Sequence, residues 1–238
     1  MQRGQVPRST GSVILARVIS VTLPALTRHQ PISPVPIHAI IPMSLLEAMR
    51  NLDTPVEDGL EEIAGEIVAK RLGLSSTVAA QITRYQDAAE HNARVSVDEA
   101  VAVFRLAGRR PDSALVFADA GRRAARYAAR TGALPARAVV RVLPGRLGRS
   151  LGARLASGVA RRVFGAELTL QNGGARAHVP SPLSVHALPD GGACAFYGSA
   201  FGELLRVLTG FEGAMVHERC RGRGEEGCHW RATPVGGY

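Results

Sequence analysis

The placement of three cysteines and one histidine in the segment Gly192–Ala232 constrains the fold most. Cys194 begins a stretch with helical periodicity. An alternating stretch ends at Cys220, and after the glycine-rich run RGRGEEG a second alternating stretch begins at Cys228. This pattern predicts a helix followed by a β-hairpin, and a loop of about seven residues brings the two hairpin cysteines together. His217 precedes Cys220 with the spacing H-x2-C. Three thiolates and one imidazole are a donor set typical of a closed tetrahedral zinc site.

Two other interpretations of the cysteines remain open at this point. All three can be small buried hydrophobic side chains. Alternatively, Cys220 and Cys228 can form a disulfide across the hairpin, although this leaves an odd thiol. A chain with only three cysteines also does not have the composition of a secreted disulfide scaffold. The spacing alone therefore leaves the metal site and the alternatives about equally favoured.

The block from about Arg122 to Ala232 resembles the 4-vinyl reductase domain family, named after a bacteriochlorophyll biosynthesis protein. The motif CRGRGEEGCHW and the proline run P-x7-LP from Pro135 to Pro144 carry the resemblance. The family is similar in fold to the ligand-sensing domain of phenol- and xylene-responsive activators and is related to TRAPP small subunits. In the phenol-sensor branch, three cysteines and a glutamate hold a structural zinc. This chain has His217 at the glutamate position, a departure that retains a good zinc ligand.

The resemblance implies a zinc-stabilised small-molecule-binding protein with zinc at four residues: Cys194, His217, Cys220 and Cys228. Its ligand would be a tetrapyrrole precursor, and the protein would assist bacteriochlorophyll biosynthesis. A sensor of a smaller aromatic or hydrophobic ligand is the first alternative, and a true vinyl reductase is the second. A reductase needs a hydride donor, but the sequence contains no G-x-G-x-x-G in a βαβ unit. It also has no Ser-His-Asp motif or nucleophile elbow, so no catalytic residue is predicted and a non-catalytic binding protein is favoured.

Four aromatic residues are the candidates for the ligand pocket. Phe196, Tyr197 and Phe201 belong to the predicted helix after Cys194, and Phe164 ends the helix before the sheet. Ligand sites are concave and mostly apolar, so we expect these side chains between the sheet and its flanking helices. An aromatic stripe at helical spacing is as often plain core.

The predicted fold class is α+β, with a helical N-terminal half followed by a small, mostly antiparallel sheet of about five strands packed on helices. Helices are indicated at Ser44–Arg50 with Ser44 as its cap, and at Asp58–Leu72. Additional helices are indicated after the capping serine Ser75 or Ser76, after Ser96 with Glu99 three residues later, and after Asp112, which is expected to cap a long helix. Further helices are predicted from Pro135 to before Pro144 and from Leu147 to Phe164. Strands are predicted at ELTLQ and ARAHV around Asn172-Gly173-Gly174, at LSVHAL, and at the two cysteine-bearing stretches. The expected domains are a disordered or linker tail (1–42), a helical region (43–110) and the ligand-binding domain (111–238).

Composition narrows the class of partner. The net charge of +9 comes almost entirely from arginine, concentrated between residues 105 and 162, and no helix-turn-helix or interleaved aromatic residues accompany it. Nucleic acid is therefore an unfavoured partner, and a ligand carboxylate or an acidic protein surface fits the arginines better.

The apolar run near the N-terminus is interrupted by Arg17 and stopped by Pro24, so it predicts neither a membrane span nor a signal peptide. We expect a cytoplasmic protein whose partner is a hydrophobic or tetrapyrrole ligand, and whose protein partner is a second copy or a biosynthetic enzyme.

Overall fold

The computed structural model describes residues 36–54, 75–132, 145–171 and 174–234. Within these residues the fold is α+β. The helices are α1 (Ile40–Asp53), α2 (Ser76–Glu90), α3 (Val97–Gly108), α4 (Ser113–Gly132), α5 (Gly145–Val159), α6 (Leu183–Ala187) and α7 (Ala195–Thr209). The strands are β1 (Ile37–His38), β2 (Arg94–Val95), β3 (Glu167–Gln171), β4 (Gly174–Val179), β5 (Gly213–Arg219) and β6 (Cys228–Pro234). Of the helices described, none has the length and apolar character needed to cross a membrane.

The main sheet is antiparallel, with four strands in the order β3-β4-β6-β5. One face of this sheet packs on helices. In β4, Ala175, Ala177 and Val179 are buried while Arg176 between them is exposed. This is the alternation expected of an antiparallel strand with one solvated face. β1 and β2 form a separate two-stranded pair.

The prediction of a strand at LSVHAL is wrong, and the main sheet has four strands among the described residues rather than about five. This segment is the helix α6, which Pro182 precedes with an extended backbone (φ −73°, ψ 132°). Proline lacks the N–H that a sheet would need but suits the entrance of a helix. Five helical residues are too few to show a 3.6-residue period, so the alternating pattern was misleading.

Helix α7 lies at the centre of the core, between α4 and the sheet. Two glycines allow the helices to approach it closely. A Cβ at Gly121 of α4 would lie 2.1 Å from the carbonyl oxygen of Phe196, and a Cβ at Gly152 of α5 would lie 1.9 Å from that of Leu208. Fully buried alanines on α4, such as Ala124, leave the same kind of space. Short side chains on the outer helices therefore let them contact the backbone of α7.

The N-terminal helices share this core. Helix α1 begins at Ile40, inside the segment expected to be a tail, and Ile40 and Ile41 are each 1% exposed. Pro42 occupies the first turn, where its missing N–H costs no helical hydrogen bond. One hydrophobic cluster contains residues from both sides of the expected boundary at residue 110. The described residues on the two sides of that boundary therefore pack together.

The predicted helix caps at Ser75 and Ser96 are confirmed, whereas Ser44 lies inside α1 rather than at its start. The Asp112 carboxylate accepts hydrogen bonds from the Arg110 guanidinium. The Ser75 hydroxyl accepts a hydrogen bond from the N–H of Val78, and the Ser96 hydroxyl accepts one from the N–H of Glu99. The Glu99 carboxylate binds the Tyr85 hydroxyl. The predicted helices at Asp58–Leu72 and from Pro135 lie outside the described residues. Nearly all of the predicted tail, residues 1–42, also lies outside the described residues.

Candidate metal centre

Three elements bring Cys194, His217, Cys220 and Cys228 to one place. A 3-10 turn, Gly192–Cys194, ends directly before α7 and places Cys194 at the helix N-terminus. His217 belongs to β5, and Cys220 directly follows the end of that strand. Cys228 is the first residue of β6. One potential ligand atom from each residue lies within 4.8 Å of all the others. The four residues predicted from the sequence can therefore hold a metal ion.

An irregularity in β5 makes this convergence work. Residues three apart on a regular strand point to opposite faces of the sheet, so H-x2-C would separate His217 from Cys220. In β5 the pairing register with β6 shifts between His217 and Arg219: His217 lies opposite Trp230, and Arg219 lies opposite His229. A β-bulge of one residue reverses the alternation locally. It thereby directs both candidate ligands to the same side.

The sulfur separations fit tetrahedral coordination. The Sγ atom of Cys228 lies 3.9 Å from that of Cys194 and 3.8 Å from that of Cys220. Metal–sulfur bonds of about 2.3 Å at tetrahedral angles place two sulfurs about 3.8 Å apart. A disulfide requires about 2.05 Å, and all three cysteines are free. The disulfide interpretation is therefore not the arrangement in this structure.

His217 supplies the fourth candidate ligand. Its Nε2 atom is buried and has no hydrogen-bond partner among the described residues. Its ring stacks on the indole of Trp230, with centroids 4.7 Å apart and an interplanar angle of 14°. A buried polar nitrogen without a partner costs free energy. Coordination of a metal ion would remove that cost, so the imidazole fits the donor set.

Backbone and hydroxyl groups surround the thiols. The Ser184 hydroxyl lies 3.2 Å from the Cys194 Sγ, and the backbone N–H of Arg221 donates to the Cys228 Sγ over 3.3 Å. Gly191 has a left-handed backbone (φ 80°), and a Cβ there would lie 2.7 Å from the Cys220 Sγ. These contacts orient the ligands in the way that outer partners orient metal ligands.

The thiols are not equivalent in the metal-free state. The hydrogen bond that Cys228 accepts from Cys194 lowers the pKa of Cys228 below its usual value, against the effect of burial. The same contact, together with burial, raises the pKa of Cys194 far above its usual value. Four protein ligands would leave no open coordination position, which is typical of a structural rather than a catalytic site.

The four aromatic residues predicted to bind a ligand are brought together in a buried cluster. Phe196 and Phe201 are 0% exposed, Tyr197 is 2% exposed and Phe164 is 3% exposed. Phe164 contacts Phe196 and Phe201 at centroid distances of 6.2 and 6.1 Å. Phe164 and Tyr197 line one cavity. Phe196 and Phe201 are core residues.

That cavity has a volume of about 350 Å³. Its apolar wall contains Ile37, Ile41, Val97, Val163, Phe164 and Leu183, and its cationic lining contains Arg94, Arg161 and Arg162. The sequence analysis assigned the arginine run 105–162 to a ligand carboxylate or an acidic surface, but it did not single out Arg161 or Arg162, and Arg94 lies outside that run. Arg161 and Arg162 precede Val163 and Phe164 in the sequence, but no local pattern distinguishes them from the other arginines of the run. The sequence analysis also missed Ser184 and Gly191 beside the metal centre, because no sequence pattern marks either residue.

Comparison with known proteins gives no match: the chain matches no family model, no curated protein and no solved structure.

Proposed function

We propose that this chain is a zinc-stabilised small-molecule-binding protein of the 4-vinyl reductase type. In this proposal it binds a tetrapyrrole precursor in the cytoplasm and assists bacteriochlorophyll biosynthesis. The observation that carries the proposal is the convergence of three buried thiols and the His217 imidazole at the junction of α7 with the β5-β6 hairpin. This is the ligand set and the location that the resemblance implies. The Nε2 atom of that imidazole has no hydrogen-bond partner among the described residues.

Zinc is the metal that suits these ligands. Thiolates and imidazole in a tetrahedral arrangement favour Zn²⁺ over Mg²⁺ or Ca²⁺, which prefer oxygen ligands in larger numbers. The ion would join the start of α7 to both strands of the hairpin. Its role would be to hold the helix on the sheet, and no residue of the site would be left for chemistry on a substrate.

The cavity beside Phe164 and Tyr197 supports ligand binding. It is concave and largely apolar, and its volume of about 350 Å³ lies at the lower end of the range for small-molecule sites. Helices α1 and α3 and the segment before α6 close it on several sides. A largely apolar cavity of this kind is sufficient for a protein that binds a small molecule without catalysis.

The cavity volume also favours a second candidate function, a sensor or regulatory module for a smaller aromatic ligand. A compact aromatic molecule fits a cavity of this size entirely, whereas a tetrapyrrole would extend beyond it. In either case the protein partner would be a second copy or, for the biosynthetic function, the enzyme that uses the precursor.

The proposal is tested by identifying what co-purifies with the full chain. Absorption spectra and mass spectrometry of the extracted ligand should show a tetrapyrrole for the first function or a compact aromatic molecule for the second. Incubation of the purified chain with a divinyl precursor and NADPH tests for catalysis. Turnover by the chain alone would overturn the assignment as a non-catalytic binding protein.

A further inference from the structure

The cavity next to Phe164 lies where a distorted helix end meets the N-terminal strand. Residues Ala160–Phe164 form a π-helical turn at the end of α5, which Gly165 terminates with a left-handed backbone (φ 62°). Such turns are uncommon and occur frequently at functional sites. Here the turn places Arg161 and Phe164 on the lining of the same cavity, to which Ile37 and Ile41 also contribute.

The charges on this lining all have one sign. Arg94, Arg161 and Arg162 contribute to it, and no aspartate or glutamate is among its described residues. Arg94 donates to the carbonyl oxygens of Pro36 and Arg162, over 2.9 and 3.2 Å, rather than to a carboxylate. The Arg161 guanidinium lies within 4 Å of no carboxylate in the described part of the chain.

Other arginines of the protein behave differently. Arg110 binds the carboxylates of Asp53 and Asp112, and Arg126 binds Glu203. Close to the cavity, burial and then the charges of Arg94 and Arg162 lower the pKa of His38. Arg161 therefore brings to the cavity lining a positive charge that no described carboxylate pairs with.

We propose that this cavity binds the carboxylate end of a hydrophobic acid, with the carboxylate on Arg161 and the apolar part against Phe164, Ile41 and Leu183. This inference rests on the proposed small-molecule-binding function and specifies the chemical class of its ligand. Guanidinium groups bind carboxylates with two parallel hydrogen bonds. Next to a largely apolar lining such a contact is stronger than at an open surface.

The volume of the cavity limits which ligands can enter it. A cavity of about 350 Å³ corresponds to roughly a dozen water molecules at about 30 Å³ each. A compact aromatic or aliphatic acid enters it whole. A macrocycle enters only with the edge that bears its acid side chain. Both ligands share the same recognition, an apolar surface next to one carboxylate.

A pair of fluorescent probes tests the inference on the full, metal-loaded chain. 1-Pyrenebutyric acid and 1-pyrenebutanol share the pyrene and differ in the anionic group. We expect the acid to bind about tenfold more tightly than the alcohol, a difference typical of one charge-assisted hydrogen-bonded contact. Protoporphyrin IX and its dimethyl ester make the same comparison for a macrocycle.

Matched variants locate the contact. Arg161→Gln should remove the preference for the acid. Arg154→Gln, which changes another exposed arginine of α5 that does not line this cavity, should keep it. Val163→Trp fills the cavity from its half-buried wall and should weaken both pyrene probes.

The outcomes of these measurements distinguish a failure of the carboxylate assignment from a failure of the small-molecule-binding function. Equal affinity of the acid and the alcohol in the wild-type chain, or an acid preference that survives Arg161→Gln, would overturn the carboxylate assignment and leave the binding function intact. Failure of both pyrene probes and of both porphyrins to bind would contradict the binding function itself. An unchanged affinity of both pyrene probes in Val163→Trp would place the binding elsewhere and overturn the cavity assignment.

Discussion

The backbone N–H of Leu183 donates a hydrogen bond to the phenolic oxygen of Tyr197, 3.2 Å away, in the interior of the protein. The bond ties the first residue of α6 to α7. It also explains why an aromatic residue on the cavity wall carries a hydroxyl. The Tyr197 oxygen therefore has a structural partner within the chain.

Replacement of Tyr197 by Phe should destabilise the protein by about 1–2 kcal/mol, because the buried N–H of Leu183 loses its acceptor. Thermal unfolding should show a midpoint lower by several degrees. Phe201→Leu in the same cluster serves as a control that removes aromatic packing without touching a hydrogen bond. An unchanged midpoint in Tyr197→Phe would show that the Leu183 N–H finds another partner.

Gly191 and Gly224 allow a matched test of the metal centre. Both have left-handed backbones, with φ of 80° and 93°, but only a Cβ at Gly191 would contact a ligand, the Cys220 Sγ at 2.7 Å. Alanine at either position should cost about 1–2 kcal/mol of backbone strain. Gly191→Ala should in addition displace Cys220 and weaken metal affinity about tenfold or more, the effect typical of a disturbed outer shell. Competition with a chromogenic chelator measures this affinity, and equal affinities of the two variants would argue against the close contact.

A pair of helical glycines tests the packing of α7. Gly121→Ala should be strongly destabilising, by more than about 2 kcal/mol, because its Cβ would lie 2.1 Å from the backbone oxygen of Phe196. Gly158→Ala places a Cβ where nothing lies within 4 Å. It should stabilise α5 by about 0.5–1 kcal/mol, since alanine favours a helix over glycine. Urea unfolding of both variants gives the two free energies, and the same sign for both would contradict the packing described here.

The buried carboxylate of Glu203 makes stability depend on pH. Hydrogen bonds from Arg206 and then Arg126 lower the pKa of Glu203, against the effect of burial. A carboxyl group with a lower pKa in the folded state contributes stability above its unfolded pKa, and that contribution is lost as pH falls through the folded pKa. Unfolding free energies measured from pH 6 down to pH 3 should therefore fall less steeply in Glu203→Gln than in the wild type. The exposed Glu212 provides the control substitution Glu212→Gln, and a Glu203→Gln profile parallel to that of the wild type would refute the ion-pair account.

The sequence predicted those features that local patterns encode. Periodicity and capping residues located α2 from Ser75 and α3 from Ser96, and the Asn172–Gly174 turn signal located the β3-β4 hairpin. Helix α6 was missed because five residues are too few for a helical period. The early start of α1 was missed because four prolines between residues 31 and 42 suggested an extended linker, although Pro42 fits the first helical turn.

The metal site was predictable in composition but not in geometry. The spacing of the cysteines and His217 identified the ligand set, because hairpin ends meet whatever the tertiary fold. The β-bulge after His217 and the approach of Gly191 to Cys220 depend on long-range packing, so no local pattern reported them. The cavity arginines were visible only as part of a basic run, since nothing in the run itself distinguishes Arg161 from Arg154.

The central claim is that Cys194, His217, Cys220 and Cys228 hold a structural zinc ion. Metal analysis by inductively coupled plasma mass spectrometry of the full chain, purified without chelators and compared with Cys220→Ser, tests it most directly. We predict one equivalent of zinc per wild-type chain, and in the variant a loss of zinc together with a lower melting temperature, since metal binding is coupled to folding. Less than about a tenth of an equivalent of zinc in the freshly purified wild-type protein, where a closed site of this kind holds about one, would contradict the account.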